Sequence, residues 1–335
     1  MSSPLVSVII VTFNNKKMLS FCISSLFKQP YSNLEIIVVD NGSGNGSVDW
    51  VREKFPEIKV IANHKNLGFP AAVNQGAAIA KGKYLFFLND DAVVKNNTIS
   101  SLASFLEKNP EAFSCQPKIL KAGTNLLEST GFYFTWTGFF YHHRKFQLVK
   151  NNLEEPKEIF GGTAAALMVE RKKFLAIGGF DADFFLYQED ADLSWRARAA
   201  GFRIFYCPDS LVYHKISTTA HKLDHSFIIF QSNRNRILVL LKNLENPYLF
   251  LILPVNLLIL ILTSFLNLLI LKPKNSLAIL AAIGWNLINL KKTLQKRKKI
   301  QKTRKVSDKE ILHGFSQPLP LFYLLNEGWR TLREW

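Results

Sequence analysis

The first half of the chain alternates two hydrophobic patterns. Val6-Ser7-Val8-Ile9-Ile10-Val11 is a β-branched run, and a helix-like stretch follows to about Phe27. Leu34-Glu35-Ile36-Ile37-Val38-Val39 is a second run that ends at Asp40. The pattern then predicts a short helix near 48–55, a strand at 58–61, a helix of small residues at about 70–80, and a strand at 84–88. Strands separated by helices of this length imply right-handed crossovers and a mostly parallel sheet covered on both faces. Thr12, Asn14, Asp40, Asn41, Asn89, Asp90 and Asp91 all fall just after strands. They therefore share one rim of the sheet, where an open α/β sheet places its ligand.

The second half is less regular. Residues 123–160 are aromatic and irregular, which suggests β-hairpins or a mobile flap, and 163–169 resumes a strand. Residues 190–200 read as a helix stopped by Gly201. A composition shift near 243–247 predicts a domain over 1–243 and a tail over 244–335. Within the tail, 248–271 is nearly all apolar and long enough to cross a hydrocarbon core of roughly 30 Å. Asn256, Thr263 and Asn267 form a narrow polar stripe on that helix. The stripe could face a second helix at 277–290 through Asn286 and Asn289, or face headgroups if the helix lies in the interface. A buried soluble helix pair is the remaining reading.

Composition refines the tail. The chain has 335 residues, 48% hydrophobic, with 27 Phe and a formal charge of +16. The basic excess is concentrated late, in Lys291, Lys292, Lys296, Arg297, Lys298, Lys299, Lys302, Arg304 and Lys305. Such a cluster attracts nucleic acid or an anionic membrane. The apolar run before it favours a membrane surface and no nucleic acid. With Lys242 before the run and Lys272 and Lys274 within the tail, a shallow in-plane helix pair satisfies all three basic clusters. Cys22, Cys115 and Cys207 are few and widely spaced, which points to a reducing compartment without disulfides or a Cys-zinc site. The run at 6–11 follows no basic segment and is too short for a signal peptide, so the first domain is expected in the cytoplasm.

Candidate chemistry sits on the rim. Asn89-Asp90-Asp91 ends a buried strand, and two adjacent acids repel unless a cation lies between them and an anion. A divalent metal held for a diphosphate fits; a polar turn with Asp91 or Asn96 capping a helix from about Asn97 also fits. The loop from Asp40 to Gly46 is not a calcium loop counted from Asn41, because Arg52 stands where a bidentate Glu is required. It can approach a nucleotide closely, with Asp40 accepting hydrogen bonds from a base, or be a plain turn. Asn66-Leu67-Gly68 precedes a helix start that suits a phosphate or tight packing. Glu189-Asp190-Ala191-Asp192 puts three acids in four residues. Asp192 and Arg196 form an i,i+4 pair, while Asp190 at the helix entrance can serve as general base. His214 gains a role only if the fold brings it to Asp91.

Taken together, Val11-Thr12-Phe13-Asn14, Val39-Asp40-Asn41-Gly42-Ser43, Asn66-Leu67-Gly68, Leu88-Asn89-Asp90-Asp91, Gly179-Phe180-Asp181 and Glu189 through Arg196 resemble glycosyltransferase family 2, of GT-A fold. The closer resemblance, over about 4–243, is to its bacterial rhamnosyltransferase-like members. It implies that Thr12, Asp40 and Asn66 hold the donor nucleoside. Asn14, Asn41, Gly68, Asn89, Asp90, Glu189 and Trp195 would also line the substrate site. Asn89-Asp90-Asp91 would be the DXD-type motif, with Asp91 and His214 on Mg²⁺ or Mn²⁺; Lys215-Ile216 stands where a glycine-rich stretch is frequent. Asp190 would be the catalytic base. The implied activity is inverting transfer of a sugar, rhamnose or one carried by uridine diphosphate, from a nucleoside-diphosphate donor. The acceptor would be a hydroxyl of a polyprenyl-linked saccharide at the cytoplasmic membrane face, in cell-surface polysaccharide synthesis. A processive polysaccharide synthase is the nearest alternative, but Gln231-Ser232-Asn233-Arg234-Asn235 does not supply a Gln-x-x-Arg-Trp motif. A non-catalytic nucleotide-sugar-binding membrane protein is another, and Asp190 argues against it.

Overall fold

A computed structural model describes residues 3–95, 97–142, 145–149, 155–215 and 223–317. The first elements are β1 (Val6–Thr12), α1 (Lys16–Phe27), β2 (Leu34–Asp40), α2 (Ser47–Lys54), β3 (Lys59–Ala62), α3 (Phe69–Ile79) and β4 (Tyr84–Asn89). Next come β5 (Ala92–Val94), α4 (Thr98–Lys108), β6 (Ala112–Lys121), β7 (Leu127–Ser129), β8 (Phe132–Thr135), β9 (Phe140–His142), β10 (Lys157–Glu158), β11 (Ala166–Glu170) and α5 (Arg171–Ala176). They are followed by α6 (Glu189–Ala199), β12 (Arg203–His214), α7 (His225–Asn243), α8 (Asn246–Leu269), α9 (Pro273–Ile288), α10 (Leu290–Thr303), α11 (Asp308–Phe315) and β13 (Ser316–Gln317).

The main sheet runs β10-β12-β6-β11-β4-β1-β2-β3, with β5 on β12 and β7 on β6. β1, β2, β3 and β4 are parallel neighbours, as are β6 and β12. β11 lies between these groups and runs antiparallel to both β4 and β6. The expected mostly parallel α/β sheet is present, but β11 and the short strands β5, β7 and β10 run against their neighbours, which an apolar run cannot announce. β1 and β4 are buried along nearly their whole length, because helices cover both faces. One apolar cluster joins Val8, Ile10, Leu19, Ile23, Phe86 and Leu102; another, across the sheet, joins Ile9, Val39, Val73, Phe87 and Leu167. The register aligns Thr12 with Asp40 and Val11 with Asn89, so three strands end together on one rim.

Several expectations need correction. α4 starts at Thr98 behind a left-handed Asn97 whose side chain makes no cap bond, and Asn96 lies outside the described residues. The aromatic stretch contains a hairpin, β8 against β9, with Phe132 opposite His142 and Phe134 opposite Phe140. The second tail helix starts at Pro273, and the basic cluster forms a helix of its own, α10.

The segment after 243 shares a core with what precedes it. Phe132, Phe134, Phe160, Phe184 and Trp195 cluster with Leu240, Leu244, Leu249, Ile252, Leu260, Ile279 and Ile311. Asn256 donates to the Thr137 carbonyl at 2.8 Å, which ties α8 to the β8–β9 turn. The stripe does not meet Asn286 and Asn289. Thr263 and Asn267 bond back to their own helix, and Asn286 donates to the Arg234 carbonyl of α7. The α8–α9 polar contact is Ser264 with Ser276, at 2.8 Å.

Much of the expected basic surface is also engaged in holding the fold. Lys242 is buried and paired with Asp181 and Asp192, at 2.6 and 2.7 Å. Lys296 bridges Asp181 and Asp183, and Lys292 pairs with Asp183. Arg297 donates to the carbonyls of Leu241 and Leu244, and Arg304 pairs with Asp308. Lys291, Lys298, Lys299, Lys302 and Lys305 remain exposed.

Candidate functional site: an acidic rim at the strand ends

The rim is organised by side chains that bond across the ends of strands. Asp40 closes the turn after β2: its Oδ1 accepts from the Gly42 and Ser43 amides, at 3.1 and 2.7 Å. Its Oδ2 is buried without a partner. A buried carboxylate oxygen without a donor is costly unless a ligand supplies one. Asn14 accepts from the Gly44 amide at 2.9 Å and is exposed. Asn41 is buried and acts as a hub. It donates to Asn66 and the Gly68 carbonyl and accepts from the Leu67 amide. Asn41 therefore shapes the loop that carries the exposed Asn66. Gly68 has φ +84°, and a Cβ there would lie 2.6 Å from the Phe185 carbonyl oxygen. Only glycine lets these backbones touch, and the adjacent Phe69 amide donates to that same oxygen at 2.8 Å.

The two acids after β4 differ. Asp90 is buried and accepts from Thr12 Oγ1 at 2.7 Å and Asn15 Nδ2 at 2.9 Å. Burial and the neighbouring Asp91 push its carboxyl up to about 7, against those two donors. Thr12, expected at the nucleoside, thus directs its hydroxyl to Asp90. Asp91 meets His214 at the end of β12, with Oδ1 2.9 Å from Nε2. The Asn89 amide is 3.2 Å from the same nitrogen, and His214 Nδ1 bonds Glu128 at 2.7 Å. Burial disfavours the imidazolium, but Asp91 and Glu128 outweigh it and lift His214 to about 10. The fold does bring His214 to Asp91, and the antiparallel pairing of β12 with β5, which sets His214 opposite Ala92, is what does so.

Asp190 approaches the same rim through a second route. Its Oδ1 accepts from the Ala191 amide at 2.8 Å, and Thr163 and the Ala164 amide also bond its carboxylate. The next residue, Ala165, accepts through its carbonyl from the Asn89 amide at 3.0 Å. Burial pushes Asp190 upward against those hydrogen bonds. Glu189 is 8% exposed, with Oε2 unpartnered. Burial and Asp190 push the Glu189 carboxyl up to about 8. The preceding loop is strained: Phe185, Tyr187 and Gln188 have φ of 60°, 69° and 66°. Asn235 of α7 holds it by donating to the carbonyls of Phe184, Leu186 and Tyr187, at 2.8, 2.8 and 2.7 Å. Arg234 adds bonds to the Asp183 and Phe184 carbonyls.

Trp195 corrects an expectation. It is fully buried, stacks edge-on against Phe134 and Phe160, and donates through Nε1 to Asp308 of α11. It holds the C-terminal helices and does not line the rim. Asp192 is likewise structural, paired with Arg196 at 2.8 Å and with Lys242. Sequence reasoning missed Asn15, Glu128, Thr163, Arg234 and Asn235. Only Arg234 and Asn235 carried a signal, as members of the polar run from Gln231 to Arg236 between two apolar stretches of one helix.

The rim suits a divalent cation in its donor set. A carboxylate is an acceptable ligand for Mg²⁺ or Mn²⁺, and the His214 imidazole could join it only by giving up the proton it holds against Asp91. Among the described residues no three His, Cys, Asp or Glu side chains form a ready metal group. An ion at Asp91 and His214 would thus need oxygens from a bound ligand.

Comparison with known proteins agrees with this layout. The sequence model of glycosyl transferase family 2 matches residues 7–175. An uncharacterized glycosyltransferase of Haemophilus influenzae is 38% identical over 109 residues, 32% of this chain and 34% of the relative. Glycosyltransferase GlyG of Streptococcus pneumoniae is 33% identical over 41% of this chain and 45% of its own length. The matches thus span a third to under half of these relatives. The N-acetylglucosaminyl-diphospho-decaprenol L-rhamnosyltransferase of Mycobacterium tuberculosis is 25% identical over 63% of this chain and 76% of its own. Among solved structures, GalNAc-T7 with UDP, GalNAc and Mn²⁺ superposes with TM-score 0.58 at 18% identity, over 73% of this chain and 49% of that one. A mannosyltransferase of Pyrobaculum calidifontis with GDP-Man and Mn²⁺ gives 0.52 at 16% identity, over 90% and 84%. These likenesses establish the GT-A fold, and the family match covers half of the chain: it belongs to glycosyl transferase family 2.

Proposed function

We propose that this chain transfers a sugar from a nucleoside diphosphate to a hydroxyl, with inversion at the anomeric carbon. The single observation that carries this is the backbone bridge between the two acidic centres. Asp190 is held by the 163–164 turn, and Ala165 of that turn bonds Asn89 beside Asp90 and Asp91. A base and an anion-neutralising centre are then tied to one rim. Asp190 takes the proton from the acceptor hydroxyl, which attacks opposite the leaving diphosphate. No covalent enzyme intermediate is needed. Asp91 and His214 would hold Mg²⁺ or Mn²⁺, which offsets charge on the departing diphosphate when bound. Asp40, with its unpartnered Oδ2, would accept hydrogen bonds from the base. Asn66 and Asn14, both exposed beside it, would contact the nucleoside.

Rhamnose is the favoured sugar, and a polyprenyl-linked saccharide the favoured acceptor. The relative named as a rhamnosyltransferase acting on a diphospho-decaprenol supports both. Membrane attachment at the cytoplasmic face is supported by α8, which is long and apolar enough to cross a bilayer. We favour in-plane attachment. One stripe of α8, at Leu249, Ile252, Asn256, Leu260 and Ser264, is buried against the rest of the protein. Spanning the bilayer would expose that stripe and its Asn256 bond to lipid.

The test is release of nucleoside diphosphate by the purified full-length protein with Mn²⁺, across a panel of nucleotide sugars. Release that depends on both one donor and an added acceptor is expected. Donor binding without acceptor-dependent release would leave a binding protein.

A further inference from the structure

Arg236 of α7 is a buried cation that the proposed chemistry does not use. It is 9% exposed, and its Nε is buried without a partner. The other buried guanidiniums face carboxylates or carbonyls: Arg196 has Asp192, Arg198 has Glu158, and Arg297 has two carbonyls. Among the described residues Arg236 has only the Asn233 side-chain oxygen and the face of Phe139, 3.9 Å from the ring centre. Burial alone pulls it down to about 10, so it stays charged at neutral pH. No carboxylate pairs with it among the described residues. A buried charge left this way is destabilising unless an anion completes it.

Its position narrows what that anion is. Phe139 belongs to the tip of the β8–β9 hairpin, whose Thr137 carbonyl rests on Asn256 of α8. A Cβ at Gly138, φ +80°, would come within 3.0 Å of both Asn256 and Leu240, so the tip is pressed onto α7 and α8. Phe250, Val255 and Leu258 on α8 are exposed apolar residues on the face away from this contact. The other end of the hairpin is near the acidic rim: His142 contacts Ser129, next to Glu128, which bonds His214. Phe139 is three residues beyond His142, or ~10 Å at strand rise. Arg236 therefore sits at the far end of the hairpin from the acidic rim, on the side of the helix with the apolar face.

We propose that Arg236, beneath the hairpin tip, is an anion subsite for the phosphate or diphosphate group of a membrane-held acceptor. This rests on the lipid-linked reading of the acceptor. A planar guanidinium with a free Nε–H matches phosphate oxygens in two-point fashion, which a lysine does not. The subsite fixes the lipid-linked end of the acceptor while its sugar hydroxyl reaches Asp190.

The experiment uses full-length protein and sodium pyrophosphate, titrated by calorimetry in EDTA so that metal-dependent donor binding is silent. Wild type is expected to bind, Arg236→Met to bind at least tenfold more weakly, and Arg236→Lys to fall between. Without ligand, Arg236→Met should melt no lower than wild type, because it removes an uncompensated charge. Binding by Arg236→Met equal to wild type overturns the proposal, as does no binding by wild type. Sources of the anion are separated with phosphatidylcholine vesicles carrying either phosphatidylglycerol or a polyprenyl diphosphate. Arg236→Met should lose affinity only for the second; equal loss for both assigns the site to bulk lipid and overturns the acceptor role. The pyrophosphate measurement is independent of the acceptor's identity, so failure of the subsite and failure of the lipid-linked reading are distinguishable.

Discussion

Glu189 and Asp190 are consecutive carboxylates at the start of α6, and their surroundings give them different work. Asp190 has donors from Thr163, Ala164 and Ala191, so it can be held ionised and aimed. Replacing it with Asn keeps the shape and removes the proposed base. Turnover should fall by about 10²- to 10⁴-fold while the calorimetric affinity for the donor is retained; turnover at the wild-type rate would remove Asp190 from the mechanism. Glu189 is the opposite case, raised from 4.5 to about 8 by burial and by Asp190. A carboxyl whose pKa is higher in the folded chain holds its proton more tightly there. Its contribution to stability is complete below its unfolded value and is lost as pH rises through about 8. Melting temperatures of wild type should therefore decline relative to Glu189→Gln between about pH 5 and about pH 9. Parallel curves would mean that Glu189 is not buried in its protonated form. The rim acids were legible because each closes an apolar run. Glu128 was not, because it lies in an irregular aromatic stretch and reaches His214 only through strand pairing. Trp195 was misread because its neighbours in sequence are charged while its ring points into the aromatic core.

At the scale of elements, α7 is the clamp on the loop that presents α6. Three residues of that loop have left-handed φ without being glycine, each a strain of order 1–3 kcal/mol. The Asn235 amide compensates by holding three carbonyls at once. Asn235→Ala should destabilise the fold by about 1–3 kcal/mol, as expected for buried acceptors left unpaired. It should lower kcat more than it raises KM for the donor, because the loop delivers Asp190 and the proposed donor contacts lie on other strands. Urea unfolding with steady-state kinetics reads both. An unchanged kcat would reduce Asn235 to a packing residue. Asn235→Asp should be no better, since a carboxylate facing carbonyls repels them. α7 itself falls in a stretch where the sequence gives no amphipathic rhythm, and its buried Asn and Arg side chains explain why. β1 and β2 were readable from β-branched runs and β4 from an aromatic and leucine run, whereas the parallel pair β6 and β12 was not read as strands. β11 was readable as a strand, but its reversed direction depends on long-range pairing that no local pattern contains.

At the scale of the molecule, the C-terminal helices complete the core and also carry the proposed membrane contact, roles that the sequence suggested were separate. Their inner faces complete the core around Trp195 and Phe184, so removing everything after 243 would strip that core and unfold the protein. Attachment has to be tested on the outer face instead. Phe250, Leu258 and Phe265 of α8 are 75%, 57% and 57% exposed, and Leu287 and Ile288 of α9 are 67% and 85% exposed. Contiguous apolar surface of this kind marks an interaction site. Lys291, Lys298, Lys299 and Lys302 follow directly on α10. Each basic residue near an anionic surface adds about 1 kcal/mol. An apolar face beside lysines suits a membrane interface, with the helices lying in its plane. The triple substitution Phe250→Asn, Leu258→Asn, Phe265→Asn leaves the buried stripe intact. It should release the protein from phosphatidylcholine–phosphatidylglycerol vesicles in flotation, with transfer to a water-soluble acceptor unchanged. Wild-type binding should weaken with salt and be reversed by alkaline carbonate. Resistance to carbonate would instead mean that α8 crosses the bilayer, and retention of the triple variant on vesicles would place the contact on another face. Confinement to the surface raises the effective concentration of a lipid-linked acceptor. The triple variant should therefore lose rate selectively on that acceptor, a selectivity that damage to the active site would not reproduce.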